Sequence, residues 1–337
     1  MQKILLFIAS LFYFNFLFSK NEIKSWQGIH ETPLSRLEQQ FADPPVEFAN
    51  HVIWGWEGKM DKKTICNDLD SIKKKGFRAV IFEAGYKLPF KYLSEEWFKA
   101  IRTGVLEAKK RGMKVWIIDE GKYPSGFAGG KFSQERPDLR MQALVIGDTI
   151  QIKRGEVMTN HKIAPEIISA VAVSTSGAPN RTIEINNGKI SFNAGLDDWK
   201  ILLVKSDFRT AVTRAVNNPN GGKDATNSLC DYLNPVAVQQ FIDWTHKQYK
   251  KYLGKELGTT VLGFRGDEPD YAHLPWTPSI VQTFKETKGY DPTPYLASFF
   301  TTSPTIQEQR VKADYWDVWS SLFATHFFKL QADWCAA

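Results

Sequence analysis

The sequence predicts an α/β protein built as a (β/α) barrel, and three observations carry that prediction. Short apolar stretches bounded by turn residues alternate with amphipathic stretches of helical period, the pattern of parallel strands covered by helices. The apolar stretches recur at about the length of one βα unit, and each ends in a polar or aromatic side chain, as barrel strands do at their functional face. A doubly wound sheet is the alternative, but no phosphate-binding glycine fingerprint follows the first strand.

The first element is not part of the barrel. In "MQKILLFIASLFYFNFLFSK", Lys3 precedes a predominantly apolar run from Ile4 to Phe18, and the chain turns polar at Ser19 and Lys20. That is a signal peptide, residues 1–20, and it predicts export to the periplasm or the medium. A membrane anchor is the competing reading; the run is shorter than the roughly 20 residues a spanning helix needs, and no second apolar run follows.

The barrel then begins. "HVIWGWEG", from His51, is a strand ending in Trp56 and Glu57, and "MDKKTICNDLDSIKKKG" is a helix with Ile65, Leu69 and Ile72 on one face and Gly76 as its stop. "FRAVIFEAG" is a second strand, ending near Glu83. "SEEWFKAIRTGVLEAKKRG" is a helix with Ser94 as N-cap and Gly112 as its stop, and "MKVWIIDEG" is a third strand, ending in Asp119 and Glu120. These elements make residues 21–140 the first part of the barrel.

Texture changes in residues 141–210. Short alternating segments such as "ISAVAVSTSG" and "WKILLVKSDF", punctuated by Gly, Asn and Asp, predict a small antiparallel β insertion. "NNPNGGKDATN", Asn217 to Asn227, reads as a loop. "NPVAVQQFIDWTHKQYKKYLG" is helical in pattern, and "TTVLGFRGDEP" reads as the fourth barrel strand within a continuation that runs from 211 to 337. Eight strands complete such a barrel. Only four are identified, and Thr305 to Ala337 is helical in pattern without a glycine or proline, so the chain is expected to be the N-terminal part of a longer protein, inactive alone.

Charge and cysteines exclude more than they suggest. The formal charge of +6 falls to +4 when residues 1–20 go, because Lys3 and Lys20 leave with no acid. The lysines are scattered and favour helix C-termini, so no basic stripe marks a nucleic-acid partner. Cys66, Cys230 and Cys335 are too few and too widely spaced for a disulfide scaffold or a paired zinc site. His246, His273 and His326 stand apart, and no serine-hydrolase elbow, zinc-protease helix motif or phosphate loop occurs.

Chemistry is predicted where the third and fourth strands end. In "FRGDEPDY", Asp267 and Glu268 follow a β-branched run and precede Pro269, which ends ladder pairing. Half-buried beside aromatics, Glu268 could stay protonated and donate to a leaving-group oxygen, while an ionised Asp267 binds a hydroxyl. The bland alternative, helix-capping or salt-bridged loop acids, weighs equally until the other strand ends are considered. In "IIDEGKYPSGFAGG", Asp119 and Glu120 could bind sugar hydroxyls or a hard cation, and Tyr123 offers a ring face. Trp56 is read as barrel filling or as a stacking platform. Trp276, in "AHLPWTP", is expected to be an exposed ring just after the acidic pair.

Together, "FADPPVEFANHVIWGWEG", "IIDEGKYPSGFAGG", "FRGDEPDYAHLPWTP" and "KGYDPTPYL" resemble the N-terminal catalytic region of family 106 glycoside hydrolases, the α-L-rhamnosidases of polysaccharide degradation. The resemblance implies a much longer enzyme with a (β/α) barrel, inversion at the anomeric carbon, a calcium ion near the site and Glu268 as general acid. It also implies an oligo- or polysaccharide substrate. An inverting site needs a second carboxylate about 6.5–9.5 Å from the first. By position only Glu83, Asp119 and Glu120 are available in this chain, and the base is expected on a later strand. A glycosidase of another sugar specificity and a non-catalytic carbohydrate-binding protein remain the rival readings.

Overall fold

The computed structural model describes residues 33–44, 50–121, 123–210, 213–214, 223–224, 228–271 and 273–337. The leader, residues 1–20, and most of the Asn217–Asn227 loop lie outside the described residues. The fold is mixed α/β with a half-barrel sheet.

After the exposed helix α1 (Leu34–Ala42), strands β1 (His51–Trp56), β2 (Ala79–Ala84) and β3 (Lys114–Ile118) run parallel in chain order. The strand Val261–Arg265, β12 in the full order below, joins them on the far side of β3, so the sheet reads β1–β2–β3–β12. Helices α2 (Lys62–Lys74) and α3 (Glu95–Lys110) are the crossovers predicted for the first two units. Asp61 caps α2 by accepting from the Thr64 N–H at 2.9 Å, and Ser94 caps α3 by accepting from Trp97 N–H at 3.3 Å.

One face of this sheet is the core. Val80, Phe82, Val115, Ile117 and Val261 point toward α2, α3 and a later helix, where they meet Ile65, Leu69, Trp97, Ile101, Val105 and Tyr249. Gly104 lets α3 sit close: a Cβ there would lie 2.9 Å from the Phe82 ring and 3.0 Å from Trp56. The opposite face carries Ile53, Gly55, Glu83 and Trp116 by the alternation of strand side chains, and Gly263 joins Trp116 there through a register shift after Val261. Ile53 on that face is 48% exposed.

Next come the short helix α4 (Lys131–Glu135) and strands β4 (Gln142–Ile152), β5 (Val157–Lys162), β6 (Ile167–Ser174), β7 (Arg181–Ile183), β8 (Lys189–Asn193) and β9 (Trp199–Phe208). The pair β10 (Thr213–Arg214) and β11 (Lys223–Asp224) precedes β12, and β13 is Pro275–Trp276. An antiparallel sheet of order β13–β4–β9–β6–β7 results, with β5 and β8 paired separately. Leu144, Val171, Leu202 and Val204 pack on helices that follow β12, while Ala170, Ile201, Leu203 and Trp199 pack on Ile190 and Phe192 of β8.

The helical pattern of "NPVAVQQFIDWTHKQYKKYLG" forms two helices, α5 (Pro235–Trp244) and α6 (His246–Leu253). Thr245 breaks it, with φ −114° and ψ −86°, and its hydroxyl donates to the Phe241 carbonyl at 2.7 Å. Such back-bonding by Thr competes with the helical ladder. Helix α7 (Ile280–Lys288) precedes α8 (Ile306–Leu322), which opens on a reciprocal Thr305–Glu308 capping box and runs through a π-turn, Phe323–Phe328, into α9 (Lys329–Ala336). Among the described residues no helix is long and apolar enough to cross a membrane.

Candidate functional site

Strands β3 and β12 end side by side. Ile118 pairs with Arg265, and the next amide, Asp119 N–H, donates to the Arg265 carbonyl at 3.1 Å. The two acidic pairs singled out from sequence therefore leave adjacent strands at the same edge of the half-barrel, the edge where such folds carry function.

Asp119 and Glu120 are buried, at 2% and 0% exposure. Glu120 uses both oxygens on its own loop. Its Oε1 accepts from Gly121 N–H at 2.7 Å and from Gly129 N–H at 3.0 Å, and its Oε2 accepts from Ala128 N–H. Burial pushes this carboxyl up to about 8; the backbone donors oppose that shift and the charge of Asp119 adds to it. In this chain the Glu120 carboxylate holds the loop that follows β3 through the Gly121, Ala128 and Gly129 amides.

Asp119 Oδ1 accepts from the Ser125 hydroxyl at 2.8 Å. Burial pushes its carboxyl up to about 7, the Ser125 bond works against that, and Asp267 adds to it. The same Ser125 oxygen accepts from Asp267 N–H at 2.7 Å. Ser125 is 1% exposed, and its carbonyl accepts from the buried Tyr232 hydroxyl at 2.5 Å. Behind it, Gly126 has φ +95°, and a Cβ there would lie 2.6 Å from the Tyr232 ring and 3.0 Å from Cys230 Sγ. Only glycine fits that position.

Asp267 is half-buried and Glu268 exposed. Asp267 Oδ1 accepts from Glu268 N–H at 2.9 Å, a contact between neighbouring residues that ties the Asp267 side chain to the Glu268 backbone. The half-burial beside aromatics expected for Glu268 is thus absent in this chain, because Pro269 and the segment after it lead away toward the second sheet. Tyr123 is half-buried in the loop after β3. Glu83 lies on the sheet face turned from the helices, opposite Gly55, and its Oε2 is 3.6 Å from where a Gly55 Cβ would be.

Both aromatic side chains are buried, Trp56 as a filling residue and Trp276 against the expectation of an exposed ring. Trp56 is 0% exposed, with its ring 5.0 Å from Phe82 and 5.7 Å from Trp97, on the helix side of the sheet. It fills the core and has no face for a sugar. Trp276 is 7% exposed, because "LPWTP" is not a loop: Pro275 and Trp276 form edge strand β13, where Trp276 pairs with Gln142 and packs among Leu144, Phe284 and Tyr315. Proline is tolerated on an edge, which is how the two prolines misled the reading.

Among the described residues no group of three or more His, Cys, Asp or Glu side chains could hold a metal ion. The donors at hand explain why, since Glu120 is saturated by amides and Asp119 is bonded by Ser125. They do not form the oxygen cage calcium requires. The residue that sequence reasoning missed is Ser125. Its only sequence signal was its place between an acidic pair and a glycine in "DEGKYPSG".

Residues 158–333 match the family model of glycoside hydrolase family 106, described as alpha-L-rhamnosidase, a span that includes Asp267 and Glu268. A putative beta-glucuronidase of Formosa agariphila is 23% identical over 355 residues, covering 90% of this chain and 30% of that protein. The rhamnosidase structure from Novosphingobium sp. PP1Y superposes with a TM-score of 0.59 at 14% identity, covering 88% of this chain and 46% of the other. The chain thus spans under half the length of the proteins it matches. With its family match extending over just over half of its residues, the chain belongs to glycoside hydrolase family 106.

Proposed function

We propose that this chain is the acid-bearing half of an exported (β/α)-barrel glycosidase that releases α-L-rhamnose from polysaccharide side chains with inversion. The observation that carries the reading is the meeting of two acidic pairs at the ends of β3 and β12, joined through one serine hydroxyl. β12 is an edge of its sheet, and a groove of about 230 Å³ lined by Leu262, Phe264, Trp334 and Cys335 runs beside it. In this reading further parallel strands continue the sheet from that edge, complete the barrel and cover Glu268.

Glu268 gives its proton to the glycosidic oxygen as the bond to the anomeric carbon breaks. A water attacks that carbon from the opposite face and loses its proton to a second carboxylate. Glu120 is unsuited to that second role, with both oxygens committed to loop amides. Asp119 is committed in part to Ser125. The base is accordingly assigned to a later strand, with Asp119 and Asp267 shaping the sugar pocket and Tyr123 beside them. No step is routed through calcium, whose ligands these residues do not supply.

A second reading keeps the scaffold and changes the sugar. Arg265, exposed at the end of β12, would pair with the carboxylate of a uronic acid, in keeping with the glucuronidase name of the Formosa relative. The test is a panel of aryl glycosides offered to the protein encoded by the uninterrupted reading frame, with the product anomer followed by NMR. Cleavage of α-L-rhamnoside to the inverted anomer supports the first reading. Cleavage of β-glucuronide alone supports the second, and binding without turnover of any glycoside would overturn both.

A further inference from the structure

We propose that Ser125 is a positioning residue for acid catalysis, an inference that rests on the reading of Glu268 as the general acid. Its single hydroxyl donates to Asp119 Oδ1 at 2.8 Å and accepts from Asp267 N–H at 2.7 Å. These two contacts form one directed chain, from the Asp267 amide through Ser125 to the Asp119 carboxylate. Bonds in such a chain polarise and strengthen one another. They also span two loops that are 142 residues apart in sequence.

Three further contacts make Ser125 a fixed point. Its carbonyl is held by the Tyr232 hydroxyl, the following Gly126 is wedged against Tyr232 and Cys230, and the Gly126 carbonyl accepts from Cys230 N–H at 2.9 Å. On the other side, the Asp267 amide lies one residue before Glu268, and Asp267 Oδ1 takes up the Glu268 N–H. The direction in which Glu268 leaves the backbone is therefore referred, through two hydrogen bonds, to a buried loop. Ser125 touches no substrate atom in this scheme. It acts by holding the acid where the leaving oxygen will be.

That role predicts a loss that depends on how much proton donation the substrate needs. In the complete enzyme, Ser125→Ala should lower kcat about 10- to 100-fold on an alkyl glycoside, whose poor leaving group needs the acid, with KM little changed. On a dinitrophenyl glycoside, which departs unaided, the loss should stay within about threefold. Ser125→Cys, which keeps the shape and weakens the bonds, guards against misfolding and should fall in between. Hydrogen exchange at the Asp267 amide provides a readout without turnover, expected to quicken about tenfold in Ser125→Ala. Equal losses on both substrates, or unchanged exchange in a folded variant, would overturn the proposal. If the wild-type protein cleaves no glycoside while exchange quickens as expected, the glycosidase reading fails and the holding contact stands.

Discussion

The pairs Asp119–Glu120 and Asp267–Glu268 follow the ends of neighbouring strands, one residue out of register, and have opposite surroundings. The first is sealed from solvent, the second half-buried and exposed. What differs is the chain that follows. After Glu120 a run of small residues folds back and aims three amides at its carboxylate. After Glu268, Pro269 keeps the chain extended, and within ten residues it has become an edge strand of the other sheet. Identical dipeptides are thus divided into a loop anchor and an acid available for chemistry by their downstream neighbours alone.

Substitutions should widen or collapse that contrast. Glu268→Gln in the complete enzyme is expected to lower turnover on an unactivated glycoside by about 10²- to 10⁴-fold, with an unchanged melting temperature. Near-normal turnover would remove Glu268 from the acid role. The second test uses pH. Asp119 and Glu120 titrate higher in the folded chain, at about 7 and 8, than their ordinary values of 3.8 and 4.5. Their contribution to stability is complete below about pH 4 and is lost as pH rises through 7 and 8, since the unfolded chain ionises first. Melting curves from pH 5 to pH 8.5 should show Asp119→Asn losing less stability than wild type over that range. Parallel curves would mean that burial does not control the pair.

Smaller effects probe the anchor itself. Glu120→Gln puts an amide nitrogen against an amide donor and should cost about 3 kcal/mol in urea denaturation; no change would show the three amides to be satisfied elsewhere. Gly126→Ala forces a Cβ into Tyr232 at an unfavourable φ and should cost about 2 kcal/mol by the same measurement. A silent substitution would mean that the loop can move off its neighbour.

Much of the half-barrel was legible because its signals are local. Strand runs, the Asp61 and Ser94 caps, and the apolar stripe of Ile65 and Leu69 all lie within one turn or strand of what they specify. The side of the sheet on which Trp56 is buried was not, since alternation puts Trp54 and Trp56 on one face without saying which face meets the helices. Trp276 escaped for a similar reason: a two-residue edge strand has no periodicity to detect. Asp119, Asp267 and their place at strand ends could be read directly. Ser125 could not, because its meaning arises from a partner in a distant segment.

That distance has a kinetic consequence. β1, β2 and β3 are consecutive in the chain and can zip together through short crossovers, whereas β12 must return to β3 after strands β4 to β9 have been threaded between them. Closing so long a loop costs entropy before any contact repays it. The union of β3 with β12 is expected to be the late step of folding, so a chain newly emerging from the ribosome would carry a formed three-stranded sheet for some time before its two acidic dipeptides ever meet.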